Sequence, residues 1–226
     1  MRVSTFGQYR GTLTDRLVPG GLVRDAIFMI AAALFIALSA QIAWGSPVPV
    51  TGQTLAVLLV GATGGVRRGG ASLLLYLGGG TLGLPFFSEA GPATYGYLVG
   101  FAAAALVVGF LSERGWDRSY RRAVVAMFAG NVVIYIFGLP WLGYYLNMSF
   151  SATLSAGLTP FIPGDVAKLL IAAAVLPSAW RLTMRGRASD KAELTELLGD
   201  DRRTTIGPEL SGELALEDLV PDEDGE

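Results

Sequence analysis

The chain contains neither cysteine nor histidine. That excludes disulfides, thiolate chemistry and cysteine or histidine metal sites, and it removes the side chain most often used as a general base near neutral pH. A metal would have to rest on carboxylates alone. Charge is scarce as well: 16 % of the 226 residues are Asp, Glu, Lys or Arg, against roughly 25 % in an average soluble domain, too few to cover a water-facing surface. No nucleotide phosphate loop is present, because Gly61-Ala62-Thr63-Gly64-Gly65 lacks the following Lys-Ser/Thr and lies in an apolar run; this chain is not expected to hydrolyse ATP. What fills the sequence instead is apolar, 52 % of residues with a mean hydropathy of +0.49.

The few charges are distributed one-sidedly. Sixteen of the seventeen Lys and Arg fall at the N-terminus, at Arg67-Arg68, between Arg114 and Arg122, or after Trp180. If those regions are cytoplasmic, the positive-inside rule is satisfied by six crossings with both termini inside. Residues 189–226 hold thirteen Asp and Glu against three Lys and Arg, with little apolar surface to bury. They read as an acidic, disordered cytoplasmic tail.

A span needs roughly 20 residues to cross a hydrocarbon core of about 30 Å. The expected spans are residues 26–44, 50–66, 69–87, 95–112, 123–146 and 163–180, with an outer turn at Pro47 and Pro49 and an outer excursion over 149–163. The first run starts too late to read as a cleaved signal peptide. The expected organisation is a cytoplasmic segment at 1–21, a six-helix membrane domain at 22–185 and the tail at 186–226. Gly78-Gly79-Gly80, then Gly83-Leu84-Pro85, and Gly138-Leu139-Pro140 are expected to break helices three and five and to converge on the outer half of the bundle, beside Pro163-Gly164-Asp165 where the sixth span begins. Irregular backbone at that depth is tolerated only where it is buried in protein or lines a cavity. Trp180 and Arg181 mark an expected inner interface.

Lys168 is the one basic residue left inside a span, three positions after Asp165, so the two share a helical face. Asp165 suits the positive end of a helix dipole, whereas Lys168 there calls for an anion. The pair reads either as a structural salt bridge or as a site for a small polar molecule, intramembrane charge being costly without a use. Gln53, Asn131 and Tyr135 are further polar groups within the spans. Ala33 with Ala37, Gly61 with Gly65, and Gly96 with Gly100 and Ala104 are small-residue pairs that let helices approach, within this chain or against another membrane subunit. A membrane enzyme would have only Asp165 or Glu89 as a base, and an anchor displaying the tail would need no buried charge pair.

The run Ser39-Ala40-Gln41-Ile42, then Pro47-Val48-Pro49-Val50-Thr51-Gly52-Gln53-Thr54-Leu55, Tyr76-Leu77-Gly78-Gly79-Gly80, Gly83-Leu84-Pro85, and finally Pro160-Phe161-Ile162-Pro163-Gly164-Asp165 with Lys168, resembles the biotin-specific substrate-binding subunit of the energy-coupling-factor transporters. The similarity runs in order over about residues 22–185. It implies a six-helix multi-pass protein of the bacterial cytoplasmic membrane, without enzymatic activity or cofactor, that binds biotin near its outer face. The implied partners are a transmembrane coupling subunit, ABC-type ATPase subunits and the lipid bilayer, with no nucleic acid. Asp165 and Lys168 match the family's biotin-contacting acid and lysine; Gln53, Tyr97, Asn131 and Tyr135 are the further expected binding residues. Ala33 and Ala37 resemble the small-residue face used against the coupling subunit. The chain departs from the family at Ala93-Thr94-Tyr95-Gly96-Tyr97 and at Phe86-Phe87-Ser88-Glu89-Ala90, and the tail has no counterpart. Related subunits for other vitamins remain an alternative within the same class.

Because the chain lacks cysteine, topology is directly testable with single introduced thiols. Cysteines at Ser46, Ser88 and Ser155 should label from outside intact cells, and cysteines at Ser119 and Ser189 only after permeabilisation. The opposite accessibility would discard the six-span orientation.

Overall fold

The computed structural model describes residues 11–17, 21–45, 48–87 and 91–205. The expectations placed on Pro47, on Ser88 and Glu89, and on the chain before residue 11 or beyond 205 lie outside the described residues. The elements are α1 (Leu13–Leu17), α2 (Leu22–Gln41), β1 (Ala43–Trp44), β2 (Val50–Thr51), α3 (Gln53–Thr81), α4 (Tyr95–Glu113), α5 (Tyr120–Tyr145), α6 (Phe150–Gly157) and α7 (Ile162–Thr205). Short 3-10 turns at Pro92–Thr94, Trp116–Arg118 and Thr159–Phe161 join them. The chain divides into two compact units, Met1–Arg181 and Leu182–Glu226. In the second, the backbone is helical through Thr205. Acidic as it is, the segment Asp190-Lys191-Ala192-Glu193-Leu194 onward is made largely of strong helix formers.

Among the described residues, four stretches are long and apolar enough to cross a membrane: Leu22–Gln41, Pro92–Glu113, Tyr120–Tyr145 and Phe150–Met184. Their outer faces expose Ile30, Leu34, Leu38, Phe128, Ile136 and Ile171, while Gln53, Ser72, Asn131 and Asp165 are buried. Apolar outside and polar inside is the arrangement lipid requires, since water is absent as a hydrogen-bond partner.

The two spans expected at 50–66 and 69–87 are two arms of α3. Gly65 adopts φ 72° and ψ −170°, a left-handed backbone that a side chain would strain, and the chain reverses there. The reversal is visible in the pairing. Gln53 bonds to Tyr76 across the arms, and a Cβ on Gly69 would meet the backbone of Gly61. Residues equidistant from Gly65 therefore face each other. Gly61 also lets α4 approach, since a Cβ there would strike the backbone of Ala105. The small-residue spacing is used within this chain, as its sequence suggested.

Two expected breaks do not occur. Gly78-Gly79-Gly80 lies within the helical run of α3, and Pro140 sits inside α5, which continues to Tyr145. The interruptions are instead at Gly65, at the two-stranded hairpin in which Ala43 pairs with Thr51 and Trp44 with Val50, and at the turn before Ile162. The segment after α3 folds back over it: Phe86 stacks on Tyr76 with centroids 6.3 Å apart, Phe87 meets the same ring edge-on at 5.5 Å, and Gln41 Nε2 donates to the Pro85 carbonyl at 3.0 Å.

The opposite end is tied by charge. Arg68 pairs with Asp15 at 2.5 Å and with Asp25 at 2.9 Å, and Arg24 with Asp25 at 2.8 Å, joining α1, α2 and α3. Glu113 Oε1 accepts from the Val66 N–H at 2.9 Å, bracing the reversal. Trp180, expected at an interface, is fully buried and donates Nε1–H to Asp117 Oδ2 at 2.6 Å.

Asp117 is fully buried too. Burial pushes its carboxyl up from 3.8 to about 6, against the opposing effects of the Trp180 hydrogen bond and the Arg118 charge. Between about pH 4 and pH 6 the folded protein therefore keeps a proton that the unfolded chain has released, and stability falls as pH rises through that window. Asp15 acts in the opposite sense only at lower pH: although burial raises it, bonds from Thr12 and Arg68 hold it below the usual carboxylate range. Thermal unfolding in detergent should show the wild type losing stability between those two pH values. Asp117→Asn, which keeps an acceptor for Trp180, should lose that dependence; an equal slope in both proteins would contradict the assignment.

Candidate functional site

Gln53 and Gly65 are twelve residues apart, about 18 Å of helix, so the open end of the α3 hairpin is far from its arginine-flanked reversal. Around that open end the chain gathers β2, the first turn of α3, the middle of α5 and the first turns of α7. Lys168 projects from α7 towards β2. Its Nζ donates to the Thr51 carbonyl at 2.7 Å and to the Thr54 hydroxyl at 3.0 Å, and lies 3.5 Å from Asp165 Oδ1. The pair expected from the sequence is thus present but loose, and the ammonium is held mainly by β2 and α3. Lys168 and Asp165 side chains are 15 % and 7 % exposed, so both charges are withdrawn from solvent and each needs its partners.

Asp165 is held from the other side. Tyr135 on α5 donates its hydroxyl to Asp165 Oδ2, and the Tyr135 ring meets Tyr97 edge-on at 6.3 Å. Tyr97 donates to the Gly157 carbonyl at 2.9 Å, so its phenol is already committed while its ring forms wall. Gln53 is similarly engaged: Oε1 accepts from Thr51 Oγ1 at 2.9 Å and Nε2 donates to Tyr76 at 2.5 Å. It orders the mouth of the hairpin through one bond at each end of its amide, with a second Nε2–H remaining.

Several buried side-chain atoms lack a hydrogen-bond partner among the described residues, Ser112 Oγ and Asp117 Oδ1 among them. Two of these atoms belong to the helices around this site, Asn131 Oδ1 on α5 and Asp165 Oδ1 on α7, the second with only the 3.5 Å ion-pair contact to Lys168. Such groups cost on the order of 1–3 kcal/mol each when left unmade; Asn131 stands one turn before Tyr135 on α5, and Tyr135 bonds to Asp165 on α7. A cavity of about 40 Å³ sits here, lined by Gln53, Thr54, Tyr97, Tyr135 and Lys168 together with apolar Phe101, Ile134 and Phe161. Small-molecule pockets measure roughly 300–1,000 Å³, so a ligand of any size enters only as the walls part.

Of the expected residues, Asp165, Lys168, Gln53, Tyr97 and Tyr135 are brought together, and Asn131 stands one helical turn before Tyr135 on α5. Thr51 and Thr54, which hold the Lys168 ammonium, were not among the expected site residues; the signals in the sequence were their place in the Val50-Thr51-Gly52-Gln53-Thr54 run and Thr54 as a polar group within a span. Ala33 and Ala37, expected on a docking face, are buried within this chain. They are 3 % and 6 % exposed and belong to the packed core, where their small side chains bring α2 against the rest of the bundle; the outward ridge of α2 is formed by larger residues such as Ile30 and Leu34. No group of His, Cys, Asp or Glu suited to a metal ion is found among the described residues.

Comparison with known proteins agrees with this geometry. A biotin transporter of Rhizobium etli is 37 % identical over 170 residues, covering 67 % of this chain and 88 % of its own. A probable biotin transporter of Lysinibacillus sphaericus is 33 % identical over 187 residues, covering 77 % and 95 %. The crystal structure of the S-component for biotin from an ECF-type ABC transporter superposes with a TM-score of 0.62 at 21 % identity, over 70 % of this chain and 92 % of that one, which establishes the shared fold. The BioY family model matches residues 9–185, spanning both the helical bundle and the whole of the lysine–carboxylate site, and the chain is accordingly a member of the BioY family.

Proposed function

We propose that this chain captures biotin and delivers it across the cytoplasmic membrane as the substrate-binding subunit of an energy-coupling-factor transporter. The observation that carries the reading is the buried Asp165–Lys168 ion pair of a BioY-family bundle, with Tyr135 joining Asp165 to α5, where Asn131 Oδ1 is a buried acceptor without a hydrogen-bond partner among the described residues. Biotin's ureido ring carries two N–H donors around one carbonyl, and its valerate ends in a carboxylate. Asn131 Oδ1 and Asp165 Oδ1 supply acceptors for the N–H groups, and Lys168 supplies charge-assisted donation to a ligand oxygen. Phe101, Ile134 and the ring of Tyr97 give the bicycle apolar contact.

The proposed topology has six crossings, the four long stretches and the two arms of α3. By parity both ends of the bundle lie on one side, and the arginine belt puts that side in the cytoplasm. Residues 53–64 make only about 18 Å of helix, less than a hydrocarbon core of about 30 Å. The Thr51–Thr54 mouth therefore lies below the outer surface, and biotin descends to meet Lys168. With no nucleotide site of its own, the subunit depends on a coupling subunit and ATPases for uptake. Residues 22–185 form the binding domain in this reading, and the acidic extension beyond it takes no part in capture.

Equilibrium binding of labelled biotin to the purified protein tests the reading. Asp165→Asn and Lys168→Ala should each weaken binding by a few kcal/mol, on the order of 100-fold or more, because removing one member of a buried charged set leaves the other uncompensated. Asn131→Ala should cost less, on the order of tenfold, the worth of one hydrogen bond to a neutral acceptor. Unchanged affinity in folded Asp165 and Lys168 variants would remove both from the site.

A further inference from the structure

At the end of the bundle opposite the lysine–carboxylate site lies a second cleft, of about 1560 Å³. Six arginines line it against three carboxylates, Asp15, Asp25 and Glu113. Those three are already engaged: Asp15 and Asp25 by Arg68, Glu113 by the Val66 N–H. Arg114 lies over the Phe110 ring and donates to the Phe110 carbonyl, and Arg118 donates to Gly11 and covers Trp180. Arg67, Arg122 and Arg181 are different. All three are exposed on the cleft wall, and among the described residues none has a hydrogen bond or ion pair.

These three guanidinium groups come from separate elements: Arg67 just past the α3 reversal, Arg122 in the first turn of α5, and Arg181 on α7. Each is a rigid fork suited to a phosphate. Arg122 stands at the positive end of the α5 dipole, where a cation is disfavoured unless an anion compensates it. Beside the arginines the wall turns apolar through Leu22, Met29 and Ala71, and Leu22 is 90 % exposed. Positive charge and hydrocarbon surface in one concave site match a phosphate ester that carries acyl chains, and basic pockets between membrane helices are a known setting for anionic head groups.

We propose that this cleft binds an anionic phospholipid, its phosphodiester held by Arg67, Arg122 and Arg181 and its acyl chains lying along Leu22 and Met29. The proposal rests on the chain being a membrane protein and is independent of biotin. A resident lipid there would complete the arginine end of the bundle, bridging the α3 reversal to α5 and α7.

The test is native mass spectrometry of the full chain in detergent, titrated with phosphatidylglycerol or phosphatidylcholine. Wild type should retain phosphatidylglycerol at least tenfold more tightly. Combined Arg67→Gln, Arg122→Gln and Arg181→Gln should bring that preference down to the phosphatidylcholine level, while Arg121→Gln, an exposed arginine off the cleft wall, should leave it intact. Biotin binding by the triple variant reports its fold; if it fails to fold, Arg181→Gln alone should lower the preference several-fold. Undiminished preference in the folded variants overturns the proposal. So does complete displacement of the lipid by millimolar inorganic phosphate, which would make this a free-anion site. Lost uptake with unchanged lipid retention would also overturn it, by assigning the cleft to a protein partner.

Discussion

The Lys168 ammonium is the interaction from which the site is organised. A charge at membrane depth is costly unless matched, and here the match comes from three directions: the Thr51 carbonyl, the Thr54 hydroxyl and the Asp165 carboxylate. The carbonyl is the telling one. Thr51 ends a two-residue strand whose partner is Ala43–Trp44, so holding Lys168 also fixes the connection between α2 and α3. Through Asp165 the same chain of contacts reaches Tyr135 and then Tyr97. Helices α3, α4, α5 and α7 thereby meet at one set of polar atoms.

The second constraint is geometric. A reversal at Gly65 splits α3 into two arms that face each other, and the lysine–carboxylate pair sits at their open end without a helix break inside the wall. It also explains why glycines that read as interruptions are not. Gly78–Gly80 remain helical, and the chain folds back after Thr81 with Phe86 and Phe87 closing over Tyr76. Pro140 is accommodated within α5 because a proline removes one donor but does not by itself end a helix whose neighbours pack closely on both sides.

The two ends of the molecule solve the same problem differently. At the lysine end, polar groups are buried and mostly paired inside protein, with Asn131 Oδ1 and Asp165 Oδ1 lacking a hydrogen-bond partner among the described residues. At the arginine end, α1 to α3 are tied by a shared network of Asp15, Asp25, Arg24 and Arg68, and the remaining arginines border an open cleft. Ser112 and Asp117 are buried there too, and what is exposed is positive charge beside apolar surface.

Membrane character, the approximate extents of four long helices, the one-sided arginines and the Asp165–Lys168 spacing were legible in the sequence. Each depends on a local quantity: hydropathy over a window, charge placement, or residues three apart on one helical face. Family membership was legible too, because several spaced motifs survive in order. What only the tertiary structure decided was which groups are already satisfied. Gln53 and Tyr97 look like free polar ligands in a string of residues, yet both are engaged by partners 23 and 60 positions away. Ala33 and Ala37 look like a docking face, yet point into the core. Trp180 looks interfacial and Asp117 looks like a loop residue, yet they bond to each other in the interior. Whether a polar group is spent or available, and whether a small residue faces inward or outward, depends on contacts between segments distant in sequence, and helical periodicity carries no record of them.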